Sequence, residues 1–352
     1  MKIKILHVVG ARPQFMKLSP LFHEIKDRDI FQKVLHTGQH FDNKMSSIFF
    51  DELKIPKPDY NLNINSLSHG AMTGRMIEEI EKILLKTNFN YMIVYGDTNS
   101  TIAGAIAAKK LGINVVHIES GVRNNDNFMP EEINRVLTDR ISDLLLCATE
   151  KSYNNLLKEG YLDLDCIVEN VGDLMLDCSQ IFEDKIKKPE TSNFILVTCH
   201  RASNTTKNKI SNIITALNTI NQNQEVIFSV HPRTQKIIDS IDLKPQFQCI
   251  SPVGYFEFLG LLKKCDYLIT DSGGAVREAY FFKKPSLLIL ENPLWPELTE
   301  AKVCINCKPN ENEILKYFEL LKNSNYDFDS KIFGNGNTRK LIVDSILKYD
   351  NR

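Results

Sequence analysis

The 352-residue chain has no apolar run near the ~18–20 residues that a membrane-spanning helix needs. Its apolar opening, Ile3 to Val9, is interrupted by His7 and followed at once by Gly10-Ala11-Arg12-Pro13. That is too short for the core of a signal peptide, and no small-residue cleavage site follows. The two absences together predict a cytoplasmic protein with no membrane partner. An excess of one charge is also missing: 43 Lys+Arg stand against 44 Asp+Glu, a formal net charge of −1. Nothing electrostatic therefore calls for a nucleic-acid partner. The eight cysteines (147, 166, 178, 199, 249, 265, 304 and 307) show no disulfide-scaffold spacing and fall mostly in apolar runs such as Leu145-Leu146-Cys147. They read as reduced, buried thiols. Cys304-Ile305-Asn306-Cys307 has metal or redox spacing but no second pair, so core packing is expected there and no metal. A Gly-x-Gly-x-x-Gly fingerprint is also lacking, which speaks against a tightly bound NAD; no cofactor is expected.

What is present is an average globular composition, 43% hydrophobic and 25% charged. A chain of this length is expected to form two domains. Short runs rich in Val, Ile and Leu recur at Ile3–Val9, Val34–Thr37, Tyr91–Tyr95, Val115–Ile118, Asp143–Cys147 and Cys166–Val171. A second set comprises Phe194–Thr198, Val226–Val230, Gln248–Pro252, Tyr267–Thr270, Ser286–Leu290 and Val303–Cys307. Helical patterns lie between them, among others at Met72–Leu85, Thr101–Leu111, Glu131–Ile141, Asn208–Ile220, Tyr255–Leu262, Ala275–Phe282 and Glu311–Leu321. Strands without polar alternation, separated by helices, predict buried parallel sheets. The expected fold is α/β, with two doubly wound Rossmann-like domains facing a cleft, over residues 1–180 and 190–335. The lysine-rich stretch Glu183–Ser192 is the expected linker.

In such sheets ligands bind beyond the carboxyl ends of the strands, so the residues at strand exits matter most. After the first strand, Gly10 allows a tight exit, and Arg12 and Lys17 bring two cations to a helix start, where free amides favour anions. Gly96-Asp97-Thr98 and His117-Ile118-Glu119-Ser120-Gly121-Val122-Arg123 each put a carboxylate at a strand end. Pro130-Glu131-Glu132-Ile133-Asn134-Arg135 opens a helix on which Glu131 and Arg135, four apart, share a face. Taken singly, each of these also reads as an ordinary helix cap. The second domain offers Cys199-His200-Arg201, His231-Pro232-Arg233 and Asp271-Ser272-Gly273-Gly274, with Glu278 shortly after. Ser-Gly-Gly before a helix exposes amides to a phosphate, and Glu278 can accept from a ribose diol. Together these groups point to acid–base work on a nucleotide-linked substrate.

In order and spacing, and almost end to end, these motifs resemble the non-hydrolysing UDP-N-acetylglucosamine 2-epimerase family. The resemblance implies a glycosyltransferase-B type fold whose last helix, here about 337–352, returns to the first domain. It implies an isomerase, working as a homodimer, that interconverts UDP-GlcNAc and UDP-ManNAc for surface polysaccharide precursors. The route implied is loss of UDP to a 2-acetamidoglycal, followed by re-addition. Carried over by position, Asp97, Glu119 and Glu131 are the acid–base carboxylates, with His200 assisting departure of UDP. Arg12, Lys17, Arg135, Arg201 and His231 are substrate-binding groups, and Ser272, Gly273, Gly274 and Glu278 contact the phosphates and ribose. Two segments depart from the family pattern. Ser203 stands where His-Arg-x-Glu-Asn has its Glu, and Leu290–Glu297 lacks an Arg and a Glu.

Ala11–Phe15, His36–Asp42, Met45-Ser46 and Ile55–Tyr60 look closer to the branch acting on UDP-2,3-diacetamido-glucuronate, which is the alternative substrate. The glutamine pattern of a UDP-GlcNAc activator site is not matched around Gln39–Ser46, so no such activation is expected. A glycosyltransferase of the same fold, or a sugar-nucleotide binding protein, is the alternative outside the class.

Overall fold

The computed structural model describes residues 3–39, 49–187, 189–201, 203–291 and 293–351. Contacts divide the chain into two units: residues up to Phe182 with those from Ile332 onward, and Glu183–Lys331. Each unit is built on one parallel sheet.

The first sheet runs β3-β2-β1-β4-β5-β6-β7. Its strands are β1 (Lys4–Val9), β2 (Phe31–His36), β3 (Tyr60–Asn61), β4 (Tyr91–Tyr95), β5 (Asn114–Ser120), β6 (Leu144–Cys147) and β7 (Ile167–Asn170). Every described pairing in it is parallel. β4 and β6 are buried at every residue, which is why they read as unbroken apolar runs rather than alternating ones. β3 is two residues long and lies at the sheet edge, too short to leave a run in the sequence. The helix Asn99–Lys110 packs its small residues Ala103, Gly104, Ala105, Ala107 and Ala108 against the sheet. A Cβ on Gly104 would stand 3.1 Å from Val94 Cγ1, so the small side chains set how closely helix and sheet approach.

The last helix, Thr338–Asp350, packs on the helix Arg12–Asp27. Asp177 accepts hydrogen bonds from the amides of Thr338 and Arg339 and from the Arg339 guanidinium (3.1, 3.0 and 3.0 Å), which seats the start of that helix.

The second sheet runs β10-β9-β8-β11-β12-β13, with β8 (Ile195–Cys199), β9 (Val226–Val230), β10 (Gln248–Ile250), β11 (Tyr267–Thr270), β12 (Ser286–Ile289) and β13 (Cys304–Cys307). Its core joins Ile195, Val197, Phe228, Ile269 and Leu287 to the helices Lys207–Asn221 and Glu311–Lys322.

All eight cysteines are free thiols. Burial pushes Cys304 up to about 11 and Cys307 up to about 12, so both are inert. Cys249 departs from the expectation of burial. It lies exposed on edge strand β10, where one side of the strand has no neighbour to cover it.

Candidate active site

The second sheet repeats the order of the first six strands of the first sheet, which adds β7 at its edge, and each reverses its winding once, between β1 and β4 and between β8 and β11. Chains leaving two such strands depart to opposite faces and open a crevice at the carboxyl ends. The Gly10–Lys17 and Gly96-Asp97 motifs leave β1 and β4, and His200-Arg201 and Asp271–Gly274 leave β8 and β11, while Glu119 and His231 lie at the ends of β5 and β9.

In the first unit the exit of β1 is fixed by close packing. A Cβ on Gly10 would lie 2.1 Å from Thr37 Oγ1 and 2.2 Å from Ser100 Oγ, so only glycine fits. Gln14, fully hydrogen-bonded and buried, joins this exit to that of β4. Its Oε1 accepts from the amides of Gly10 and Ala11 (2.7 and 3.0 Å). Its Nε2 donates to the Tyr95 carbonyl and to the hydroxyls of Thr98 and Thr101 (2.8, 3.0 and 3.1 Å). Sequence reasoning did not single out Gln14; its place in the quoted Gly10–Lys17 motif was the available signal.

Around Gly96, with φ at +62°, two ion pairs assemble. Lys17 Nζ lies 2.7 Å from Glu119 Oε2, and the lysine side chain is 3% exposed. A Cβ on Gly96 would stand 3.5 Å from that Nζ and 3.6 Å from Glu119 Oε1, so both groups lean on this backbone turn. The Arg135 guanidinium donates from Nε and Nη2 to Asp97 Oδ2 (3.0 and 2.7 Å) and from Nη1 to Glu132. Burial works against the Arg135 charge, but the carboxylates of Asp97 and Glu132 hold its pKa above the ordinary value. Asn134 donates to the Asp97 carbonyl at 2.9 Å. Asp97 keeps 27% of its side chain exposed, so it is anchored yet accessible.

Glu119 adopts φ +69°, a left-handed conformation that costs a non-glycine residue roughly 1–2 kcal/mol. It sits where the β5–β6 register shifts between Ile118 and Ser120. Such a bulge re-aims a side chain at a strand end.

The helix Pro130–Ile141 is inside out. Glu132, Asn134, Arg135, Thr138 and Asp139 are buried, while Ile133, Val136 and Leu137 are exposed. The reason is the network beneath it, which satisfies each buried charge with a partner. Glu131 stands half-buried in its first turn, and Arg135 pairs with Glu132 and Asp97, not with Glu131. Arg12 is half-buried, its guanidinium 4.6 Å from the centre of the Phe49 ring.

In the second unit the organiser is Asp271, fully buried at the exit of β11. Its carboxylate accepts from the amides of His200 (3.0 Å) and Arg201 (2.8 Å), from Asn204 Nδ2 (3.3 Å) and from Cys199 Sγ (3.3 Å). Its carbonyl accepts from Arg201 Nε at 2.7 Å. One buried carboxylate thus sets the His200-Arg201 turn, and its position before Ser272-Gly273-Gly274 was the only hint of this in the sequence.

The rings of His200 and His231 lie 5.9 Å apart. Arg233, not among the expected site residues, donates to the His200 carbonyl at 3.3 Å. Ser272 caps the helix Gly273–Phe281, its hydroxyl accepting from the Ala275 amide, with Gly274 in the first turn. A Cβ on Gly273 would approach Leu294 Cδ1 at 3.0 Å and Arg201 Nη2 at 3.9 Å, so a basic group borders the helix N-terminus. Glu278 is buried farther along that helix.

Ser203, in the place of the family's Glu, offers its carbonyl to Lys209 Nζ at 2.7 Å. Of the Gln39–Ser46 segment, residues 40–46 lie outside the described residues. Gln39 Oε1 accepts from the amide and hydroxyl of Ser100 (3.2 and 2.8 Å). Ala202 and Asn292 also lie outside the described residues.

Each unit is a Rossmann-like domain: the first presents carboxylates paired with cations at its strand ends, and the second presents histidine, arginine and a capped helix start. The family model for UDP-N-acetylglucosamine 2-epimerase matches residues 23–347. The UDP-2,3-diacetamido-2,3-dideoxy-D-glucuronate 2-epimerase of Pseudomonas aeruginosa is 41% identical over 98% of this chain and 100% of its own length. The UDP-N-acetylglucosamine 2-epimerase of Methanococcus maripaludis is also 41% identical, over 98% of each chain. A crystal structure of the Methanocaldococcus jannaschii UDP-GlcNAc 2-epimerase in complex with UDP-GlcNAc and UDP superposes with a TM-score of 0.89. It is 39% identical and covers 99% of this chain and 100% of that one. The chain belongs to the UDP-N-acetylglucosamine 2-epimerase family, and it is an isomerase with a glycosyltransferase-B type fold.

Proposed function

We propose that the chain interconverts UDP-GlcNAc and UDP-ManNAc by eliminating UDP and adding it back. The observation that carries this reading is the pair of carboxylate–cation contacts, Glu119 with Lys17 and Asp97 with Arg135, assembled at one strand-end turn. No carbonyl next to C2 acidifies its hydrogen, so proton removal must be coupled to loss of a leaving group. A carboxylate takes the C2 proton, the C1–O bond breaks with its electron pair on the diphosphate, and a C1=C2 double bond forms. Re-addition of UDP returns a proton to the opposite face of C2.

Asp97, Glu119 and Glu131 share the proton transfers. Lys17 and Arg135 hold the carboxylates in place and, with Arg12, Arg201 and His231, offset charge as the diphosphate departs. His200 assists that departure. Ser272, Gly273 and Gly274 receive the phosphates, and Glu278 the ribose. The enzyme works in the cytoplasm as a homodimer, a state that light scattering in solution tests.

The 41% identity to the Pseudomonas enzyme over its whole length supports a second reading, with the 2,3-diacetamido-glucuronate nucleotide as substrate. Incubation of each nucleotide sugar with the protein in deuterated water, followed by NMR at C2, separates the two. Deuterium at C2 of intact UDP-GlcNAc is the expected outcome. Exchange with the uronate nucleotide alone would move the substrate to the second reading. Free UDP and sugar as sole products, or no exchange with either, would overturn epimerisation by this route.

A further inference from the structure

Beneath the Glu119 turn lies a network, fully buried at its centre, that no step above uses. His117 Nε2 lies 2.7 Å from the Gly96 carbonyl, and His117 Nδ1 lies 2.6 Å from Asp139 Oδ1. Both His117 and Asp139 side chains have no exposure. The other Asp139 oxygen accepts from the Gly121 amide at 3.1 Å and from Arg123 Nη1 at 2.7 Å. Arg123 in turn donates a two-pronged fork to Glu159, at 2.9 and 2.8 Å. Asn155 Nδ2 closes the turn on the Gly121 carbonyl at 3.0 Å.

The hydrogen-bond roles follow from the partners. A backbone carbonyl only accepts, so Nε2 must donate to Gly96. Burial raises the Asp139 carboxyl, but His117 and Arg123 outweigh it and hold its pKa below the ordinary value, so this group is an ionised acceptor.

From this geometry we infer that His117 and Asp139 are positioning residues for the site carboxylates. Glu119, at φ +69°, lies between two points tied to Asp139: the His117 ring before it and the Gly121 amide after it. A left-handed glutamate persists only when its surroundings hold it. On the other side the His117 ring holds the Gly96 carbonyl, and Asp97 is the next residue. One buried imidazole thus sets the separation of the strand exits that carry Asp97 and Glu119. The inference rests on the epimerase reading above for what those carboxylates do.

Nitrogen NMR of the histidine-labelled wild-type protein at pH 7, with the signal assigned by its loss in His117→Gln, reads the ring directly. A hydrogen on Nε2, facing the Gly96 carbonyl, is expected, and a bare Nε2 would overturn the inference. Folded Asp139→Asn turns one hydrogen-bond acceptor into a donor facing the Gly121 amide or Arg123. Its kcat for C2 exchange is expected to fall by up to about 100-fold, since small misplacements of reacting groups act at that scale. KM should stay within about twofold, because the nucleotide contacts are untouched. Unchanged kcat, or a rise in KM alone, would overturn the positioning role. If Asp139→Asn does not fold, the wild-type ring measurement decides by itself. Inactive wild-type protein with a hydrogen on Nε2 would sink the epimerase reading and spare the ring assignment. Active protein with a bare Nε2 would do the reverse.

Discussion

The two units share an order of six strands and one switch point, yet their strand ends are built by opposite means. At the β1/β4 exit the working groups are side chains held by side chains: Lys17 on Glu119 and Arg135 between Asp97 and Glu132. At the β8/β11 exit a single buried carboxylate, Asp271, holds backbone amides and leaves the His200 side chain 45% exposed. The first arrangement fixes charged atoms in place and suits proton transfer, where small displacements are costly. The second shapes a turn and a helix start and suits a diphosphate, whose many oxygens tolerate several donors. One topology thus carries two kinds of strand end, and on the proposed reading each serves its own chemistry, because function resides in what is placed there.

The largest effect that would test this contrast comes from the acid–base side. Asp97→Asn or Glu119→Gln should lower C2 deuterium exchange by roughly 10²–10⁴-fold, the usual scale of a general acid or base. UDP binding, measured by calorimetry, should remain detectable. Loss of UDP binding with exchange retained would invert the comparison.

On the other side, Asp271→Asn faces amide donors with an amide of its own. We expect a loss of about 2–3 kcal/mol in denaturant unfolding, in line with hydrogen bonds to a charged group. UDP affinity should fall with it, since the turn and the Ser272 cap are set by that carboxylate.

Acid should separate the units by stability. His7 on β1 is fully buried, and burial lowers its pKa from 6.5 to about 4. The neutral ring is held by the Tyr95 hydroxyl on Nδ1 at 2.7 Å and Gln32 Oε1 on Nε2 at 3.0 Å. The unfolded chain binds this proton first, so the contribution is complete above about pH 6.5 and is lost as pH falls towards 4. The loss from this group amounts to at most about 3 kcal/mol. Protection factors in β1 and β4, measured against the slower intrinsic exchange in acid, should fall between pH 6.5 and 4, and His7→Gln should flatten that dependence. An unchanged pH profile in the variant would count against this assignment.

The smallest effect is steric. Gly10→Ala places a methyl group about 2 Å from two hydroxyl oxygens. A loss of roughly 1–3 kcal/mol is expected from such overpacking, read from the unfolding midpoint. An equal loss in Gly70→Ala, where no atom lies within 4 Å, would rule out sterics as the cause.

Much of the architecture was legible because parallel strands buried on both faces must be apolar throughout, as Tyr91–Tyr95 and Leu144–Cys147 are. β3 escaped notice because two residues carry no period. The helix Pro130–Ile141 shows the limit of patterning: its apolar residues Ile133, Val136 and Leu137 face outward, while the charged Glu132, Arg135 and Asp139 are buried. Strand-end motifs pointed to Asp97, Glu119, His200 and Ser272. Gln14, Asp139 and Asp271 were not singled out, because each acts through groups distant in sequence.

By itself the sequence determined the class of fold and the chemical types at the strand ends, since burial and chain reversal leave local signatures in residue order. Only the tertiary structure decided which cation pairs with which carboxylate. It placed Arg135 on Asp97, 38 residues away, and Lys17 on Glu119, because a charge taken out of water needs whichever partner the packed sheet brings within about 3 Å.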